Sequence, residues 1–207
     1  MKSPKQYAAL IVISALGISF GYAIVRYNIA GKVPWSRLPL YVLNKAVSLA
    51  GFILLFVNFS GNKNNSFRQE VFKHVGISSF LLIVLHAIIS LLIFSPHAYP
   101  KFFDENNWLT TFAALSMLSG IIAIILLWIY NMSFSILYKE QFTKNLKENI
   151  INTAILIIGI HLFFMGYNGW LTPEKWFGKL PPISLISFSL FLTGIGFKIF
   201  KKFFKTP

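Results

Sequence analysis

Of the 207 residues, 56% are hydrophobic and only 12% are Asp, Glu, Lys or Arg, whereas a soluble domain carries roughly a quarter charged residues, so the composition is that of a membrane protein. The net charge of +13 would suggest nucleic acid in a soluble chain, but these basic residues lie between long apolar runs, where they meet lipid headgroups, and no nucleic-acid partner is expected. The absence of cysteine excludes disulfide frameworks, thiolate metal sites, thiol redox catalysis and thiolate-ligated heme.

Six apolar stretches, at about residues 7–25, 38–59, 74–95, 108–130, 150–167 and 183–200, are each long enough to cross about 30 Å of hydrocarbon at about 1.5 Å per residue. They predict an all-α integral membrane bundle of six helices, forming a single domain over residues 1–207. Lys2 and Lys5 resemble the start of a signal peptide, but the first apolar run is too long for one and no small-residue cleavage site follows it, so it is expected to be the first helix. Gly31–Pro34 precede the second helix, and Pro39 falls in its first turn, where proline is tolerated. A Ser-Gly-Asn-Lys-Asn-Asn-Ser run (residues 60–66) follows the second helix, Pro96 and Pro100 end the third, and Pro173 with Pro181-Pro182 frame the last connection.

Basic residues set the expected orientation. Lys2, Lys5, Lys63, Arg68, Lys73, Lys139, Lys144, Lys147, Lys198, Lys201, Lys202 and Lys205 fall on one side, 12 in all, against 6 on the other: Arg26, Lys32, Arg37, Lys101, Lys175 and Lys179. That bias predicts a multi-pass plasma-membrane protein with both termini in the cytoplasm. Trp35, Trp108, Trp170 and Trp176 then form an aromatic belt at the outer interface.

Two of the four histidines lie in the apolar runs. His86 is preceded by Leu82-Ile-Val-Leu85 and followed by Ala87-Ile-Ile89; His161 sits between Ile155-Leu-Ile-Ile-Gly-Ile160 and Leu162-Phe-Phe164. An ionisable side chain in the hydrocarbon is costly and marks a functional site by default. His86 lies 12 residues after His74, where the third apolar run starts, and His161 lies 11 residues after Ile150, where the fifth starts. Both helices run in the same direction, so both imidazoles are expected at one depth, roughly 17 Å from the inner boundary. Two imidazoles at one level suit the two axial positions of a single heme b. The bland alternative is that each histidine hydrogen-bonds a neighbouring helix. A mononuclear zinc or copper site would want a third ligand, and the apolar runs offer no carboxylate.

The remaining polar residues read as follows. His74 is about 120° around the helix from His86 and is poorly aimed as a second stacked ligand. His97 follows Pro96 in a loop. Lys45, beside Asn44 and about two turns into the second helix, either snorkels to the headgroups or pairs with a buried anion such as a heme propionate, for which Arg26 and Arg37 are alternatives. Ser116, Ser119 and Ser187 have neither a nucleophile motif nor an evident base, which disfavours an intramembrane hydrolase. No inverted repeat or pair of broken helices points to a transporter.

Six helices with a histidine in the middle of the third and another in the fifth resemble the ferric reductase-like transmembrane family, which includes the heme-binding membrane subunit of methionine sulfoxide reductase systems. Phe67-Arg-Gln-Glu-Val-Phe-Lys-His-Val-Gly76 followed by Phe80-Leu-Leu-Ile-Val-Leu-His86 is similar to the family's basic loop, glycine and Leu-His helix, and Asn44-Lys45 with Ala50-Gly51 to its second helix. The resemblance implies His86 and His161 as axial ligands. The second histidine that two-heme members carry on the fifth helix is missing, so one heme is expected. No Gly-x-Gly-x-x-Gly follows a strand, so electrons are expected from FAD or FMN on a partner protein, or from quinol. The competing expectation is a non-redox helical membrane protein, a transporter or assembly partner, with structural histidines.

Overall fold

A computed structural model describes residues 3–61, 64–135, 137 and 140–203, with side chains through residue 200. Lys2, Lys63, Lys139 and Lys205 of the charge count lie outside the described residues. Six helices are long and apolar enough to cross a membrane: α1 Pro4–Ala23, α2 Leu43–Ser60, α3 Ser66–Leu92, α4 Thr111–Met132, α5 Lys144–Trp170 and α6 Ile183–Phe203. Among the described residues there is no strand, only an isolated bridge between Phe103 and Leu109. The predicted all-α fold with six membrane-crossing helices is what the chain forms.

The helix ends follow polar caps rather than the edges of the apolar runs. Asn65 accepts a hydrogen bond from the Arg68 N–H (2.8 Å) and starts α3, and Thr143 accepts from Leu146 (3.2 Å) and starts α5. A side-chain oxygen at this position satisfies one of the orphan N–H groups of the first turn. Both helices therefore begin earlier than hydrophobicity predicts, by eight residues in α3 and six in α5. The Phe67–Gly76 stretch, compared above with a basic loop, is helical, and Glu70 reaches Lys73 and His74 along its face (3.8 and 3.2 Å). At the N-terminus, Ser3 and Gln6 form a reciprocal cap with Pro4 in the first turn.

Two wide, π-type turns flank the first connection. α1 runs on through Ile24–Ala30, and α2 is entered through Leu38–Val42, with Pro39 in the first turn as expected. Such turns accommodate an extra residue per helical turn and often accompany functional segments.

By their internal contacts the residues group into two units, Met1–Ile93 with Thr172–Pro207, and Phe94–Leu171. In the first unit, α2 packs against α1, α3 and α6. Of its most apolar stretch 56% is buried, against 28% or less in any other span, so α2 is the enclosed helix. Gly51 is what lets α3 approach: a Cβ there would lie 3.2 Å from the Ile83 side chain and 3.3 Å from its backbone nitrogen. The Ser79 hydroxyl donates to the Gly51 carbonyl at 2.8 Å across the same crossing.

The second unit is the α4–α5 pair and the connection before it. Ala113, Ser116, Ser119, Ala123 and Leu127 form the buried face of α4, at helical spacing. Leu118, Ile121, Ile122, Ile125 and Trp128 are exposed. Apolar side chains outward and small or polar ones inward is the pattern expected where the solvent is lipid.

Candidate functional site

His86 belongs to the first unit and His161 to the second, and each is fixed by its own neighbours. On α3, the His86 Nδ1 lies 2.6 Å from the Asn44 Oδ1 of α2. Asn44 is fully buried, and its Nδ2 donates to the Ser90 hydroxyl at 2.9 Å, one turn along α3 from His86. That bond orients the amide, so its oxygen faces the imidazole as acceptor. Nδ1 of His86 therefore carries the proton, and in the neutral ring Nε2 keeps the lone pair.

On α5, the His161 Nδ1 lies 2.7 Å from the Ser116 backbone carbonyl of α4. A carbonyl oxygen can only accept, so here too Nδ1–H donates and the lone pair is on Nε2. Gly120 makes room for the ring: a Cβ at that position would sit 3.0 Å from the His161 Nδ1 and 3.2 Å from its Cε1. In both cases the neighbouring helix holds the tautomer that a metal-ligating histidine uses, with the second nitrogen tied to an outer acceptor.

The serine reading fails on the same geometry. The Ser116 hydroxyl is 3.3 Å from His161 Nδ1, and the Ser90 hydroxyl 3.4 Å from His86 Nδ1, yet each nitrogen already donates to a carbonyl oxygen and has no lone pair to accept a hydroxyl proton. The Ser116 hydroxyl donates instead to the His161 carbonyl (3.3 Å), and Ser119 bonds the Leu115 and Ser116 carbonyls (2.7 and 3.0 Å). Ser116 and Ser119 are α4–α5 packing groups.

The other candidates divide. The Lys45 ammonium lies 5.3 Å from the centre of the Tyr41 ring, one turn back toward the start of α2, the direction of a snorkelling side chain. Asn44, not Lys45, is the residue of that pair that meets His86. Arg26 is buried, packs 5.5 Å from both the Tyr27 and Phe177 rings, and donates to the Leu180 carbonyl, which ties the last interhelical connection to the end of α1. Arg37 is exposed in the turn before α2. His97 is exposed in a turn after α3, as expected, and His74 reaches Glu70.

Sequence reasoning identified the two imidazoles but missed what holds them. Asn44 was noted only as a neighbour of Lys45, and the Ser116 carbonyl has no sequence signal at all. Gly120, which with Ser116 and Ser119 interrupts the apolar run of α4, was the available hint. Among the described residues no three His, Asp or Glu side chains gather as a metal-binding group; a heme needs only two protein ligands. Compared with protein-family models and with curated proteins, the chain matches none.

Proposed function

We propose that this chain is a transmembrane electron-transfer subunit in which His86 and His161 are the axial ligands of one b-type heme. The observation that carries the reading is the shared tautomer: in each imidazole Nδ1–H is given to a fixed acceptor and Nε2 keeps the lone pair. Bound here, a heme would supply one-electron chemistry, and His86 and His161 would be the residues that hold it. The chain's own part is to hold the ligands. Asn44, locked by Ser90, orients His86 and makes its ring a better electron-pair donor, and the Ser116 carbonyl does the same for His161. The apolar side chains around both positions keep water and protons from the site.

On this reading a flavoprotein or membrane quinol delivers electrons, and an acceptor on the far face receives them, as in ferric reductase-like or methionine sulfoxide reductase-like systems. The termini face the cytoplasm of a plasma-membrane protein, following the lysine and arginine bias. A second reading rests on the same hydrogen bonds. Each histidine bonds the helix beside it, which is also how a structural imidazole ties a bundle together.

A reduced-minus-oxidised visible spectrum of the purified protein separates the two. Sharp b-type bands, lost in both His86→Ala and His161→Ala, support the electron-transfer reading. Colourless protein from heme-replete cells leaves only the structural one.

A further inference from the structure

Two connections of the first unit cross where positive charge collects without an acid. Gly31, at the end of the wide turn Ile24–Ala30, and Gly178, in the connection before α6, let the two segments approach. A Cβ on Gly31 would lie 2.8 Å from the Phe177 ring, and one on Gly178 would lie 2.7 Å from the Ala30 Cβ. The residue after each glycine is a lysine, and both lysines are exposed and left-handed, with φ of 52° at Lys32 and 57° at Lys179. Arg26 joins them from the end of α1. Its guanidinium donates to the carbonyl of Leu180, the residue after Lys179, and its own carbonyl accepts from the N–H of Gly31, the residue before Lys32, at 3.0 Å. Three cationic residues are thus tied to one crossing.

Among the described residues none of the three has a carboxylate within ion-pair distance. Arg26 is buried, at 6% exposure, and its Nε–H has no hydrogen-bond partner. A guanidinium keeps its charge and has five donors, and a buried charge is unfavourable until it is paired. The lysine backbones are a separate observation. A non-glycine residue at positive φ is strained, and glycine would cost less at either position. Such strain collects at ligand-holding segments, as do wide helical turns. The crossing also has an apolar flank, since Ile29 and Phe177 are 62% and 39% exposed. An occupant that suits both surfaces carries a negative group next to hydrocarbon.

We infer that this crossing binds the phosphate of an anionic phospholipid, with Lys32 and Lys179 at the headgroup, Arg26 as the buried charge behind them, and Ile29 and Phe177 against the acyl chains. The inference does not depend on the histidines or on heme.

The test titrates the full-length protein in detergent with phosphatidylglycerol or phosphatidylcholine and follows bound lipid by native mass spectrometry. Wild type is expected to bind phosphatidylglycerol about tenfold more tightly than phosphatidylcholine. Lys32→Gly and Lys179→Gly should each weaken phosphatidylglycerol binding about fivefold, without lowering the unfolding midpoint, because glycine suits a positive φ. Lys32→Arg and Lys179→Arg should keep the affinity. Arg68→Gln removes a charge at the start of α3, beside the other end of α1, where the Phe67 and Tyr7 rings meet, and should stay near wild type. Glycerol phosphate, which has the headgroup chemistry without acyl chains, should not compete at millimolar concentration. Unchanged phosphatidylglycerol affinity in both glycine variants overturns the inference. So does an equal loss in Arg68→Gln, which would mean general attraction to charge, and so does displacement by glycerol phosphate, which would make the ligand a free phosphate.

Discussion

Gly120→Ala isolates the packing of His161 from any question of cofactor. The added methyl would start 3.0 Å from Nδ1 and 3.2 Å from Cε1 of the imidazole. Both are several tenths of an ångström inside ordinary contact, so the ring must move, and the 2.7 Å bond to the Ser116 carbonyl must lengthen. Overpacking of this kind costs about 1–3 kcal/mol, and weakening an interhelical hydrogen bond in a membrane bundle adds about 0.6 kcal/mol. Against this, Ala in place of Gly in a helix interior gains up to about 1 kcal/mol. The expected net is a loss of about 1–2 kcal/mol. In a His161→Ala background the obstacle is gone, and the same substitution should stabilise by up to about 1 kcal/mol. The assay is unfolding in mixed dodecyl maltoside–SDS micelles, run as a double-mutant cycle. Ser116→Ala serves as control: it removes a hydroxyl but leaves the carbonyl that accepts from His161, and should change stability by no more than about 0.5 kcal/mol. If Gly120→Ala has the same sign in both backgrounds, His161 does not lie against Gly120 and the packing described for the ring fails.

Three further outcomes follow from individual contacts. Asn44→Leu removes the acceptor for His86 Nδ1–H and the donor to Ser90, and should lower stability in the same micelle assay by about 1 kcal/mol, and by less when His86 is already Leu, where only the Ser90 bond remains to be lost. Burial lowers the Lys101 pKa to about 8, so more of its amine is neutral at mildly alkaline pH; acylation of Lys101, followed by mass spectrometry, should reach half its maximal rate near that pH, whereas a midpoint near the ordinary lysine value of about 10.4 would show a hydrated ammonium. Because the chain has no cysteine, single cysteines report topology cleanly: a membrane-impermeant maleimide should label Glu105→Cys on intact cells and Glu140→Cys only after lysis, and the reverse pattern would invert the orientation.

Much of the architecture was legible before any coordinates. Apolar runs of bilayer length admit little except helices, because a backbone in hydrocarbon must satisfy its own hydrogen bonds, and all six runs are helical. The same hydrophobicity made His86 and His161 conspicuous, since an imidazole is anomalous among leucines and isoleucines. What the runs could not mark was where the helices begin. Asn65 and Thr143 set those ends through local backbone geometry, in polar sequence that a hydropathy reading assigns to loops. Nor do the runs carry a signal for partners distant in the chain. Asn44 lies 42 residues from His86, and the carbonyl of Ser116 lies 45 residues from His161. A backbone carbonyl has no residue identity to recognise, and a buried asparagine looks the same in sequence whether it serves a histidine or a headgroup. The chain's composition thus determined the solvent, the helix count and the two unusual side chains. Their tautomers, and the Lys101 ammonium on the Met165 carbonyl, were decided only when packing brought separate helices and connections within hydrogen-bond distance.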